Sequence, residues 1–101
     1  MAVRKEAIIK SQSRDEYEQV LYIGSEENIT TVRERLSNAR AKSVVLVIPP
    51  QTLLRSRVAW QLLHKRAQEL EKKVCVVSTD KQIRSIARSV KFKVASALQN
   101  G

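Results

Sequence analysis

The pattern with the most chemistry in it lies near the C-terminal end. Lys81, Arg84, Arg88 and Lys91 stand at offsets 0, 3, 7 and 10. At 100° per residue they share an arc of about 80° on a helix. That arc lies opposite Ile83, Ile86, Ala87 and Val90, and no acid falls between Lys81 and Lys91. A mixed solvated face would carry glutamates in i,i+4 pairs. A face of one sign is suited to carboxylates or to phosphates, which it contacts without reading sequence. Arg55 and Arg66 add charge from the preceding segment. Trp60 sits one helical step, about 100°, off the apolar stripe of that segment, a position that serves the rim of a core or an anchor for a partner equally well.

The other chemistry-bearing residues each have a plain structural rival. Ser78, Thr79 and Asp80 precede a helical pattern, and the amides opening a helix can hold a phosphate. Asp80 would cap that same end and repel an anion, so capping is the stronger reading. Glu26, Glu27 and Asp80 are hard oxygen donors of the kind Mg²⁺ takes, but nothing in their spacing gathers them. His64 has no nucleophile or carboxylate at a defined spacing. Cys75 lies between valines and reads as a small hydrophobe. One cysteine excludes an intrachain disulfide and a multi-cysteine zinc site. Two glycines, Gly24 and Gly101, exclude a glycine-rich phosphate loop. The expectation is a protein without catalytic activity, metal or cofactor.

Charge is the main compositional signal. The 101 residues carry 19 Lys+Arg and 10 Asp+Glu, a net +9. Residues 1–34 hold five bases and seven acids, whereas residues 35–101 hold fourteen bases and three acids. The chain is polarised along its length, and a field of this sign draws in polyanions. At 43% hydrophobic and 29% charged, the composition is globular. With only 4% aromatics the core must be aliphatic. No apolar run approaches the roughly 20 residues of a membrane span. No secretory leader is visible in the first ten residues, which points to the cytoplasm.

These side chains must be positioned by alternating strands and helices. Glu18 to Gly24 reads as a short strand closed by glycine. Ile29, Val32, Leu36 and Ala39 repeat at helical spacing behind Asn28, a plausible N-cap. Val44-Val45-Leu46-Val47-Ile48 is a non-alternating apolar run, expected to be a strand buried on both faces and ended by Pro49-Pro50. A long helix is expected from about Thr52 to Lys73, with Ala59, Leu63, Ala67 and Leu70 inward and Leu54, Val58 and Leu62 widening that stripe. Val74 to Val77 is a second apolar strand, Asp80 caps a third helix, and Phe92-Lys93-Val94 is a short last strand. Ala7-Ile8-Ile9 could be a helical turn, an added edge strand or a tail.

The result is an α/β fold, βαβαβαβ, with a mostly parallel four-stranded sheet flanked by helices. Strands 44–48 and 74–77 belong at its centre, with 19–23 and 92–94 at the edges. The chain divides into an N-terminal arm (1–18), one α/β domain (19–95) and a tail (96–101).

The stretch from Leu21 to Val94 resembles a small Rossmann-like domain that recurs in larger bacterial proteins, including envelope-associated and baseplate-like ones. The resemblance lies in Leu21 to Ile29, Val32 to Leu36, Ala39 to Lys42, Val44 to Pro49, Leu62 to Ala67 and Val76 to Asp80. It implies an α/β fold and no agreed activity or cofactor. The functional expectation is therefore an interaction domain. It would dock an acidic protein surface, or a second copy of itself, through Lys81, Arg84, Arg88, Lys91, Arg55, Arg66 and Trp60. A nucleic-acid-binding module contacting phosphates is the alternative, and a ligand rim at Ser78, Thr79 and Asp80 is the weaker third.

Overall fold

β-branched residues dominate the two central apolar runs, and both are strands for that reason. The computed structural model describes residues 6–10 and 17–97, with side chains from Glu18 onward. Its elements are β1 (Glu6–Lys10), β2 (Tyr17–Tyr22), α1 (Ile29–Asn38), β3 (Ser43–Val47), α2 (Arg57–Glu69), β4 (Lys73–Val77), α3 (Lys81–Ser89) and β5 (Lys93–Ala95). The strands lie in sequence order in one sheet. β2 to β5 are parallel, and β1 is added antiparallel to β2 with Glu6 opposite Leu21. The fold is a small Rossmann-like α/β domain, as expected.

β1 corrects one expectation. The strand at 19–23 is not an edge, because β1 covers it; Ala7-Ile8-Ile9 is the added strand. Residues 1–5 and 11–16 of the arm and residues 98–101 of the tail lie outside the described residues, and the last two arm residues, Tyr17 and Glu18, open β2.

Each crossover moves one strand further in the same direction. Right-handed connections then place every helix on one face. Val32 and Leu36 of α1, Trp60, Leu63 and Ala67 of α2, and Ile83 and Ala87 of α3 share one core with Leu21, Val44, Leu46 and Val76. The opposite face carries a second, smaller cluster of Val20, Val45 and Val77, with Val47, Cys75 and Ala95 against it. Among the described residues no helix packs on that face. β3 is therefore apolar on both sides, as its run implies, but helices cover only one of them.

The helix ends follow local hydrogen bonding. Asn28 Oδ1 accepts from Thr31 N at 3.0 Å, and Asp80 Oδ1 accepts from Gln82 N at 2.8 Å and Ile83 N at 3.3 Å. Both caps are where the sequence places them. α2 is shorter than expected, running from Arg57 to Glu69 behind the Ser56 cap. Residues 52–56 form a loop instead, held by Thr52 N to Pro49 O and by Thr52 Oγ1 accepting from Leu54 N at 3.1 Å. α2 and α3 each end in a Schellman-type turn, with Lys72 N to Ala67 O and Phe92 N to Ala87 O. The left-handed residues in those turns are Glu71 (φ 56°) and Lys91 (φ 81°), where glycine would be usual.

Candidate functional site

The seven residues expected to meet a partner do not form one surface. Trp60 is only 1% exposed. Its indole N–H donates to Leu54 O at 2.7 Å, and its ring meets Phe92 edge-on at 5.8 Å. It is a core residue and cannot anchor a partner from outside. Arg55 is also engaged internally. Its guanidinium reaches Asp80 Oδ2 at 3.1 Å, Gln82 Oε1 at 2.7 Å and Pro50 O. It ties the loop after β3 to the start of α3. Arg66 lines the α1–α2 groove with Arg33 and pairs with Glu69 at 3.3 Å.

On α3 the basic arc is partly kept. Lys81 and Arg88 are exposed. Arg84 is half-buried and donates to Ser78 O at 2.9 Å. Lys91 lies beyond the helix in a left-handed conformation, so its helical offset does not apply. It lines a separate cleft with Lys72, Lys73 and Lys93.

The rim at the carboxyl ends of the strands is satisfied from within. Ligand crevices in open α/β sheets arise where strand order reverses. Here the order never reverses. Ser78 is buried, and its hydroxyl accepts from Asp80 N at 3.1 Å. Thr79 is exposed, and Asp80 is occupied by its cap and by Arg55. Glu27 accepts from Gly24 N at 2.7 Å and pairs with Arg35 at 2.6 Å. Among the described residues no three His, Cys, Asp or Glu are gathered as metal ligands. Glu26, Glu27 and Asp80 are thus not brought together. His64 packs edge-on against Phe92 at 5.0 Å.

The Asp80 carboxyl is held below the usual carboxylate range. The hydrogen bond from Arg55 is the largest cause, and the N–H groups of Gln82 and Ile83 add to it against an opposing desolvation. A carboxyl whose native pKa lies below its unfolded value stabilises the fold above the unfolded value, about 3.9 for Asp. That stabilisation disappears as pH falls through the depressed native value. Urea titrations at a series of pH values should therefore show a midpoint that falls in acid. The fall should be smaller in Asp80→Asn, which keeps a capping side chain without the charge. Equal acid slopes for the two proteins would contradict this role.

Cys75 is half-buried on the helix-free face. Burial raises its thiol pKa, Glu18 raises it further, and Lys93 lowers it. This is an inert thiol rather than an activated one.

One surface was missed at the sequence level. Val58 and Leu62 were expected inside; they are 63% and 41% exposed, and Leu53 nearby is 63% exposed. Val58, Leu62 and Lys65 share an arc of about 60° on the solvent side of α2, and Arg57 and Gln61 border it, both exposed. The only carboxylate of α2 is Glu69, already paired with Arg66. The available signal was Trp60: turning its large ring inward rotates the helix and carries Val58 and Leu62 out.

Comparison with known proteins adds no neighbour: no family model, curated protein or solved structure matches this chain. No helix among the described residues is long and apolar enough to cross a membrane. What the chain does must follow from its own surface.

Proposed function

We propose that this chain is a non-catalytic docking domain that captures an acidic partner protein on the outer surface of α2, with α3 beside it. The observation that supports it is the solvent-facing Val58–Leu62 stripe bordered by Arg57 and Lys65. Interfaces of this kind place apolar anchors at the centre and charge at the rim. Lys81 and Arg88 extend the positive field and steer an acidic partner toward the anchors. Arg84 has a secondary part, since Ser78 already holds it. Phosphate backbones make no use of exposed valine and leucine, so the apolar stripe favours protein over nucleic acid. A cytoplasmic setting belongs to the same reading and accords with one free, half-buried thiol.

The test is co-purification from cell extract with tagged wild-type protein, with and without nuclease. Two variants accompany it, Val58→Asp/Leu62→Asp and Arg57→Glu/Lys65→Glu. All four positions are exposed, so folding should survive. The expected result is a protein partner retained after nuclease and lost, by tenfold or more, in both variants. Capture that ends with nuclease would support nucleic acid instead. A partner equally retained by both variants would overturn the proposed face.

A further inference from the structure

We propose that the cleft at the N-terminal ends of β4 and β5 is a binding site for a small ligand carrying two or more linked phosphoryl groups. The site does not depend on the docking face of α2. Its volume is about 430 Å³, and four lysines line it: Lys72, Lys73, Lys91 and Lys93. Pockets of roughly 300–1,000 Å³ hold small molecules. His64 and Glu18 are the other titratable oxygen or nitrogen groups there, so the lining carries an excess of three positive charges with histidine neutral.

The topology concentrates this charge. β4 begins at Lys73, but its pairing with β5 begins only at Cys75 opposite Lys93. Lys73 and Cys75 are two residues apart on one strand and point to the same face, which Lys93 shares through its pairing with Cys75. Lys73 and Lys93 are thus diagonal neighbours of like charge at the sheet edge. Lys91 enters from the left-handed turn that ends α3. Lys72 donates to Ala39 O at 2.8 Å and Ala41 O at 2.7 Å, which leaves one of its three protons uncommitted. None of the four lysines pairs with a carboxylate among the described residues.

A further observation agrees. The Lys72 ammonium is held below its ordinary pKa, by burial first and by the neighbouring Lys42 second. Cations crowd this end of the sheet. The cleft lies at the end of the sheet, where Lys73 and Lys93 come from the face of Cys75 and Val74 and Phe92 belong to the helix side.

Thermal unfolding at low ionic strength tests the site with three probes: ADP, inorganic pyrophosphate and a single-stranded oligonucleotide. ADP at a hundred times its dissociation constant should raise Tm by on the order of 10 °C. A smaller rise with pyrophosphate would mean that the organic body contributes, and an equal rise that the phosphoryl groups carry the binding; both sustain the phosphate site. Lys73→Glu/Lys93→Glu should lose the shift, with Lys73→Gln/Lys93→Gln weakening binding at least tenfold as the milder variant. Arg57→Glu/Lys65→Glu should keep it in full. No shift with ADP, an undiminished shift in both lysine variants, or binding of the oligonucleotide alone would overturn the proposal.

Discussion

Replacing Trp60 by alanine should destabilise the domain by about 3–5 kcal/mol, the largest loss expected from any single change here. The ring is almost wholly buried, it packs edge-on against Phe92, and its N–H satisfies Leu54 O. The residue joins three elements: it sits on α2, holds the loop before α2, and touches the entrance to β5. Domains of this size have a total stability of about 5–15 kcal/mol, so the variant should be unfolded in part even without denaturant at 37 °C. Trp60→Phe separates the contributions. It keeps most of the apolar volume but leaves the Leu54 carbonyl without its donor, which costs about 1–3 kcal/mol. Urea midpoints measure both. An alanine variant as stable as the parent would mean that Trp60 is not in the core.

The second large effect is a contrast between neighbours. Leu63→Ala should cost about 2–5 kcal/mol, while Leu62→Gln should stay within about 0.5 kcal/mol of the parent. Leu63 is fully buried among the helix-side core, and Leu62 projects into solvent. One residue of separation is a rotation of 100° on a helix. Equilibrium unfolding in urea settles the comparison. Comparable losses at the two sites would place α2 in the rotation expected from its apolar residues alone, with Val58 and Leu62 inside. The docking face would then be absent. The Leu62→Gln protein also serves the co-purification test, because it alters an anchor without altering charge.

Local chemistry made much of the fold legible. Asn28 and Asp80 are caps because their short side chains reach amides two and three residues ahead. The apolar runs at 44–48 and 74–77 are strands at the centre of the sheet, since β-branched residues without alternation suit a layer apolar on both sides. The span of α2 was less clear. Thr52 and Leu54 suggested helix, but Thr52 Oγ1 binds Leu54 N and turns the chain there. The ends of α2 and α3 carried no glycine to mark them, because Glu71 and Lys91 take the left-handed positions.

The candidate site was less legible than the fold, for a physical reason. Helical offsets locate side chains only while the helix lasts, so Lys91 could not be assigned to the face of Arg84 and Arg88 once α3 ended at Ser89. Charge in the sequence also says nothing of its partners. Arg55 looks like Arg57 until Asp80 is brought to it from 25 residues away.

The α/β alternation, the central strands, two of the helix caps and the excess of positive charge can be read from the residues alone. Those follow from propensity, spacing and composition, which act over a few residues. Folding is what puts the helices on one face, adds β1 to the sheet, turns Trp60 inward and Val58 and Leu62 outward, and brings four lysines to the border of one cleft. Each of those depends on which distant residues compete for the same buried volume or the same hydrogen bond, and that competition exists only once the chain has folded.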